Sequence, residues 1–270
     1  MNLGQHSSHR AAPQAFGDHL RHWRQHRRLS QLDLAQEADI STRHLSFVET
    51  GRSLPSREMV LRLAERLDVP LRERNALLVA AGYAPMYRER PLDDPALAAA
   101  RQAVELILKS HEPYPALAVD RHWNLVAANR MLPHLLDGAD PSLLQGRVNV
   151  LRLSLHPDGM APRIANLGEW RAHLLRRLRQ QIAVSADAVL VALLAELEAY
   201  PAPPHDDAAA SDYGGVVVPL RLATEAGVLA FFGTTTVFGT PVDITLAELA
   251  LEAFYPADEK TAAVLRGLAG

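Results

Sequence analysis

The sequence contains no cysteine, so neither a disulfide framework nor thiolate chemistry is available to this chain. No apolar run approaches the roughly 18–20 residues that a membrane-spanning helix needs. The N-terminal segment MNLGQHSSHRAAPQAFG lacks the apolar stretch of a signal peptide. These absences argue against a disulfide-rich secreted protein or a membrane protein. We therefore expect a cytoplasmic protein that does not associate with membranes.

Catalytic signatures are missing as well. The chain has no G-x-S-x-G or H-E-x-x-H motif, no phosphate-binding loop of the Walker type and no dinucleotide fingerprint. Each of these motifs positions a nucleophile, a metal ion or a phosphate. The run His205, Asp206 and Asp207 contains metal-ligand residue types, but it lies in a segment rich in Pro and Ala and lacks the i,i+3 or i,i+4 spacing of a helical site. We expect no enzymatic activity, no catalytic residue, no cofactor and no metal site.

Charge is distributed unevenly along the 270 residues. Residues 1–90 hold 14 Arg against 10 Asp and Glu, whereas residues 91–270 hold 14 Lys and Arg against 21 Asp and Glu. A basic N-terminal part joined to an acidic body is typical of a nucleic-acid-binding domain attached to a domain that does not contact nucleic acid. The length allows both domains a core, and 48% hydrophobic residues exclude general disorder.

Changes in pattern and composition predict the domain boundaries. Residues 1–14 are polar and are expected to form a disordered tail, and residues 15–84 carry helical periodicity throughout. Residues 85–94 combine prolines with several charges and are the expected linker. Residues 95–270 form the second domain.

The stretch RRLSQLDLAQEADISTRHLSFVETGRSLPS has the pattern of a helix-turn-helix. Ser30 and Ser41 are placed to cap two successive helices, since a serine hydroxyl accepts hydrogen bonds from free helical N–H groups. The second helix has an apolar back and a front with cationic, polar and aromatic residues. That combination is what reading the DNA major groove requires. The sequence therefore predicts double-stranded DNA as a partner.

The segment from FGDHL to AERLDV resembles the phage-repressor-type helix-turn-helix of bacterial XRE-family regulators. The resemblance implies an all-α domain of five helices whose third helix enters the major groove, usually as a homodimer on a palindromic operator. It places Gln31 at a phosphate-contacting position and Arg52 in a loop that grips the DNA backbone. The predicted DNA-binding residues are Gln31, Ser41, Thr42, Arg43, His44, Ser46, Phe47, Arg52 and Ser56.

Within that resemblance, individual residues have separate expected roles. Arg43 is the expected bidentate partner of a guanine, because its planar fork matches the O6 and N7 acceptors. His44 is as consistent with a surface position as with a phosphate contact. Arg24 and Glu49 match a buried ion pair of the family and are predicted to be structural. Asp39 stands where the family often has a turn glycine, and aspartate tolerates a left-handed backbone.

The second domain mixes helical and strand patterns. Short β-like runs cover 116–120 and 123–128, stronger ones cover 215–223 and 228–238, and 148–155 is a mixed apolar segment. Helices are predicted over 95–110, 129–136, 168–181, 187–199 and 258–268, and 244–254 fits a helix or a strand. Four or five antiparallel strands with inserted helices predict an α+β fold.

Three segments beginning at YPALAVDRHWNLVAANR, NVLRLSLHPDG and VVVPLRLATEAGVLAFFG resemble the C-terminal domain of MmyB-like regulators. Those are XRE-family proteins with a PAS-like ligand-binding domain. The resemblance implies a sensor of a small, mainly apolar effector, for which a fatty acid is one candidate. The alternative is a second domain that only mediates dimerisation or binds a protein partner, with a filled core and no ligand.

The expected ligand-binding residues comprise apolar walls and a few polar groups that would orient a ligand. They are Trp123, Leu125, Asn129, Arg130, Leu132, Leu136, Leu151, His156, Trp170, Leu174, Phe231, Thr235 and Phe238. Any one of the aromatic residues is also consistent with plain core packing. His156 fits a turn equally well, and Asn129 also fits a helix cap. The arginines at 176, 177 and 179 fit a solvated helix face.

Overall fold

The computed structural model describes residues 16–201, 203, 218–239, 241 and 243–269. The chain folds into two compact units, which meet in sequence between Arg88 and Glu89. The tail predicted for residues 1–14 lies outside the described residues. Of the strand predicted over 215–223, residues 218–223 are described.

The first unit is built from five helices, as the sequence predicts. They are α1 (Phe16–His26), α2 (Gln31–Glu37), α3 (Thr42–Glu49), α4 (Arg57–Arg66) and α5 (Leu71–Ala80). The two predicted caps are confirmed. Ser30 Oγ accepts from the Asp33 N–H, and Ser41 Oγ accepts from the His44 N–H. Each cap satisfies a helical N–H that has no partner within the helix, which sets where α2 and α3 begin.

The turn between α2 and α3 depends on a left-handed residue. Asp39 has φ +54°, in the conformation that its family position usually reserves for glycine. The helices then pack around a closed core, in which Leu20, Leu34, Leu45 and Leu63 are fully buried. This packing holds α2 and α3 at a fixed angle and leaves the opposite face of α3 free.

The second unit contains seven further α-helices among the described residues. They are α6 (Ala98–Ser110), α7 (Leu132–Leu135), α8 (Val150–Leu155), α9 (Leu167–Ser185), α10 (Ala188–Ala199), α11 (Ile244–Ala247) and α12 (Glu259–Ala269). The mixed apolar segment 148–155 forms α8, which Asn149 caps through its side-chain oxygen. The ambiguous segment 244–254 contains both a short helix and the start of a strand.

Five antiparallel strands form one sheet in the second unit. They are β1 (Ala116–Val119), β2 (Leu125–Ala128), β3 (Leu220–Thr224), β4 (Gly227–Val237) and β5 (Ala250–Pro256). Their order across the sheet is β2-β1-β5-β4-β3. Strands β3 and β4 are joined by a two-residue turn, Glu225 and Ala226, which is followed by Gly227 with φ +97°. The predicted α+β class is confirmed.

The two faces of this sheet are covered differently. Helix α6 packs Val104 and Leu108 against Ala116, Ala118 and Leu251 on one face. The other face joins a larger apolar cluster that includes side chains of α8, α9 and α10. Because residues two apart along a strand share a face, Phe231, Gly233 and Thr235 of β4 all point toward this second layer. The space between that layer and the sheet contains the cavity described below.

Candidate functional site

In the first unit, the outward face of α3 carries a cluster of two arginines on one aromatic ring. The Arg43 guanidinium carbon lies 5.3 Å from the centre of the Phe47 ring, and that of Arg52 lies 6.0 Å from it. Both arginines are exposed and Phe47 is half-buried. Such contacts orient a long side chain while leaving its charge available to an anion. The geometry is suited to contacts with DNA bases and phosphates.

Behind this face, a buried carboxylate ties three helices together. Arg24 of α1 donates to both oxygens of Glu49, at 2.6 and 3.0 Å, and Gln31 Nε2 of α2 donates to Glu49 Oε2 at 2.7 Å. Burial opposes ionisation of Glu49, but the hydrogen bonds from Arg24 and Gln31 outweigh it and lower the pKa. The predicted Arg24–Glu49 ion pair is confirmed, and it fixes α3 relative to α1 and α2.

The remaining predicted DNA-binding residues surround α3. Ser41 and Ser56 use their hydroxyls as helix caps, with Ser56 accepting from the Met59 N–H. The Gln31 Nε2 group donates one of its two N–H bonds to Glu49, which leaves the second available for a phosphate contact. Three half-buried residues, Thr42, His44 and Ser46, complete the set on α3 itself. The role of each in DNA binding stays a prediction.

The second unit contains a cavity of about 570 Å³ between the sheet and the helical layer. Its walls are mainly leucine, valine and aromatic side chains. Seven of the predicted ligand residues line it: Trp123, Leu125, Leu132, Leu136, Leu151, Trp170 and Leu174. They come from β2, α7, α8, α9 and the β1–β2 connection, so the chain assembles the wall from segments far apart in sequence.

The two predicted phenylalanines lie away from this space. Phe231 is fully buried in the core and is not among the lining residues. Phe238 packs with the cluster on the other face of the sheet, beside Ala127 and Ala253. Instead, Phe254 of β5 contributes the aromatic ring from the sheet side. An apolar run shows that residues are buried, but not whether they face packed atoms or open space.

Asn129, one of the predicted polar residues, binds backbone groups and does not face the cavity. Asn129 is buried, accepts from the Ala116 and Met131 N–H groups, and donates to the Leu108 and Tyr114 carbonyls. Its amide therefore satisfies backbone groups at the end of α6 and the start of β1, and it does not line the cavity. Asn129 is therefore not a ligand contact, and it is not the cap of the following helix either, because α7 has Met131 at its N-cap position and no side-chain cap.

Arg130 and His156 also point to local partners. The exposed Arg130 pairs with Glu112, with a distance of 2.8 Å between Arg130 Nε and Glu112 Oε2. His156 Nδ1 accepts from the Asp158 N–H at 3.0 Å, and its ring packs edge-on against Tyr200. Neither residue lines the cavity. For His156, the turn alternative describes the observed geometry.

A polar cluster stands at one side of the cavity and contains one predicted ligand residue, Thr235, together with Arg177, expected on a solvated helix face, and Glu252, which was not predicted. Arg177 of α9 donates to both oxygens of Glu252 on β5, at 2.9 and 3.2 Å, and to Thr235 Oγ1 at 2.8 Å. Thr235 in turn donates to Glu252 at 3.0 Å. Arg177 and Glu252 line the cavity, and Thr235 lies just beyond them.

Trp123 lines the cavity beside this cluster and contacts it. The Arg177 guanidinium carbon lies 4.9 Å from the Trp123 ring centre, and Trp123 Nε1 donates to Gln181 at 2.7 Å. The Trp123 backbone has φ +66°, which for a bulky residue costs on the order of 1–3 kcal/mol. Strain of this kind persists only where surrounding contacts impose it, and it often marks a binding site.

His173 lines the cavity, and its surroundings lower its pKa. Its ring stacks on Trp170, with centroids 5.5 Å apart. Burial lowers the pKa of His173, and the nearby charges of Arg177 and Arg176 lower it further. The spacing of 173, 176 and 177 puts these three side chains on one side of α9, next to the apolar face. That basic stripe beside Trp170 and Leu174 is the sequence signal that would have identified Arg177.

Neither a membrane span nor a metal cluster occurs in the described residues. In the described ranges, no helix is long and apolar enough to span a membrane. Within the same ranges, no group of three or more His, Cys, Asp or Glu side chains is arranged to hold a metal ion.

Both units match models of known protein families. Residues 100–268 match the model of the MmyB-like transcription regulator ligand binding domain, and residues 15–77 match a helix-turn-helix domain. No curated protein matches the chain. The ligand-binding match covers more than half of the chain and includes the cavity, and the second match includes α3. The chain belongs to the MmyB-like transcription regulators, with a helix-turn-helix DNA-binding domain ahead of a ligand-binding domain.

Proposed function

We propose that this DNA-binding transcription regulator recognises a double-stranded operator as a homodimer, and that its second domain binds a small, mainly apolar ligand. The cavity between the sheet and α9 carries the ligand part of the proposal. Its volume of about 570 Å³ lies within the range of roughly 300–1,000 Å³ found for small-molecule sites. A fatty acid is the candidate that the family resemblance favours.

The chemistry of the walls supports an apolar ligand body. Trp123, Trp170, Leu151 and Leu174 present hydrocarbon surface, whereas the Arg177–Glu252 pair is already satisfied internally. Each methylene buried in such a space contributes about 0.8 kcal/mol, which corresponds to about fourfold in affinity. We expect affinity to rise by about that factor per methylene until the chain fills the cavity.

Regulation requires that the ligand distinguish two states of the protein. A ligand shifts an equilibrium only by the difference in its affinity for the DNA-competent and DNA-incompetent states. A dimer that binds half-sites one helical turn apart is sensitive to small rotations of its two DNA-binding domains. Occupancy of the cavity is proposed to act on dimer geometry in this way.

The rival function is a second domain that serves only dimerisation or a protein partner. That function needs a packed interior, because protein cores leave few voids larger than a water molecule. A cavity of several hundred cubic ångströms, lined by Leu132, Leu151 and Trp170, supports the ligand-binding proposal over this rival.

The experiment that tests the proposal begins with the ligand itself. Purified full-length protein would be denatured, extracted with organic solvent and analysed by mass spectrometry for a stoichiometric apolar compound. Thermal shifts with a series of straight-chain acids and alcohols would follow. The Val150→Phe variant serves as a matched control, since Val150 is half-buried at the cavity wall and a larger side chain there occupies the space.

We expect a co-purified compound, or a thermal shift that grows with chain length, in the wild-type protein and a reduced effect in Val150→Phe. Equal shifts in both proteins would place binding outside the cavity. A wild-type protein that shows no compound and no shift would favour the dimerisation-only function.

A further inference from the structure

The entrance of the cavity can be located from the exposure of its lining. Among the described lining residues, only Arg176 of α9 and Gly233 of β4 are exposed; the others are buried or half-buried. Helix α9 and strand β4 are joined next to these positions by the hydrogen bond from Arg177 to Thr235, at 2.8 Å. The open side of the cavity, here called the mouth, therefore lies at Arg176 and Gly233.

The charges near the mouth leave one positive charge unbalanced. Arg177 is paired with Glu252, whose side chain is 8% exposed, so these two charges cancel inside the protein. Burial and the two arginines lower the pKa of His173, which favours its neutral form. Within the described part of the chain, no carboxylate is paired with Arg176. The mouth thus presents a single cationic group that remains accessible to a ligand.

Gly233 is not explained by the packing of the protein. A Cβ atom at this position would meet only the Phe254 ring, at 3.9 and 4.0 Å, which is ordinary contact. The contrast is Gly159, where a Cβ would lie 2.3 Å from the Leu153 carbonyl oxygen. A glycine inside a strand weakens that strand and often marks a place where a ligand comes close. At the mouth, the missing side chain keeps the entrance open.

We propose that Arg176 and Gly233 determine the specificity of the cavity: Arg176 pairs with the one anionic group of an amphiphilic ligand, and Gly233 admits its apolar chain. The inference rests on the proposed ligand-binding function and adds the ligand's charge and its orientation. An ionised group is costly to bury without full compensation, whereas at the mouth it keeps part of its hydration and gains a cation. The apolar chain then extends inward between Trp170 and the sheet.

The test compares two probes of equal chain length, dodecanoate and 1-dodecanol, with full-length protein. Binding would be followed by tryptophan fluorescence, since Trp123 and Trp170 both line the cavity, and by calorimetry. In wild type we expect dodecanoate to bind more tightly than the alcohol. Arg176→Gln should lower the affinity for dodecanoate about 3- to 10-fold and leave that for dodecanol unchanged. Arg179→Gln is the matched control, since Arg179 lies on the same helix outside the cavity.

A second variant tests the entrance. Gly233→Val should weaken binding of both probes by more than tenfold without lowering the thermal stability, because valine favours a strand conformation. Thr234→Val, one position along and on the opposite face of β4, should bind both probes as wild type does.

The outcomes separate the two proposals. A wild type that binds neither probe overturns the ligand-binding function and this inference together. A wild type that binds both, with Arg176→Gln affecting acid and alcohol equally or not at all, overturns the charge assignment alone. Unchanged binding in Gly233→Val places the entrance elsewhere.

Discussion

The guanidinium of Arg43 lies 5.3 Å from the centre of the Phe47 ring, one helical turn further along α3. An exposed arginine normally samples many rotamers, and contact with an aromatic face reduces that freedom at small energetic cost. Arg52 lies near the same ring, at 6.0 Å. Phe47 therefore orients two cations on the surface proposed to face DNA.

For Arg43 we predict loss of sequence discrimination. Arg43→Ala should cost roughly 1–3 kcal/mol at one base position, as expected for removal of a bidentate contact to guanine. Gln31→Ala should weaken all sequences to a similar extent, because backbone contacts carry no base information. Operator sequences selected from a random library, then measured at one fixed salt concentration, provide the test. An unchanged base preference in Arg43→Ala would mean that α3 is not the recognition helix.

For the Arg24–Glu49 pair we predict a large effect on stability. Arg24→Gln leaves the fully buried Glu49 carboxylate without its main partner and should destabilise the first unit by about 3 kcal/mol. Hydrogen exchange of the α3 amides would measure the loss. Arg43→Ala is the control, and its effect on exchange should stay within about 0.5 kcal/mol because Arg43 is exposed. Equal protection in both variants would contradict a structural role for the pair.

For Glu196 we predict a contribution to stability that disappears in acid. The bidentate hydrogen bond from Arg152, opposed by partial burial and aided by the Tyr200 hydroxyl, lowers the pKa of Glu196 to about 2. Since the folded-state pKa lies below the unfolded value near 4.5, the contribution is complete above about 4.5 and is lost as pH falls toward 2. Glu196→Gln should lose stability at pH 7 and little at pH 2.

Urea unfolding at both pH values would measure this difference. Glu198 lies on α10, as Glu196 does, and its carboxylate forms an exposed pair with Arg179 of α9. Glu198→Gln should therefore change stability little at either pH. The prediction fails if both variants lose the same free energy of unfolding at pH 7.

For His173 we predict a loss of stability in the same direction, as the pH falls, but at a higher pH than for Glu196. Burial first, and then the charges of Arg177 and Arg176, lower its pKa below 6.5, with Glu252 and Glu169 opposing the shift. Unfolding lets the imidazole take up a proton, so stability decreases as pH falls from about 6.5 toward the folded-state pKa. His173→Gln should reduce the loss of thermal stability between pH 7.5 and 5.5. If the thermal stability of the variant falls between pH 7.5 and 5.5 as much as that of wild type, His173 is not the cause of the pH dependence.

The two units differ in how far sequence patterns predict their sites. In the first unit, caps, helical faces and the DNA-facing residues lie within one continuous stretch, so local chemistry predicted both the helices and the outward position of Arg43. In the second unit, seven apolar lining residues followed from burial patterns. The polar lining residues could not be predicted in this way. The predicted Asn129 and His156 satisfy nearby backbone groups, whereas Arg177 reaches Glu252 across the space between helix and sheet.

The family resemblance implied the Arg24–Glu49 pair. By itself, the sequence determined the five helices of the first unit, the left-handed turn at Asp39 and the α+β class of the second unit. These features depend on capping, periodicity and motifs between residues close in the chain. Only the tertiary structure decided which apolar side chains line the cavity. It excluded Phe231 and Phe238 from the lining and placed Arg176 and Gly233 at the mouth. A void is defined by the distances between segments that are far apart in sequence, and hydrophobicity is the same whether a side chain faces a neighbour or a cavity.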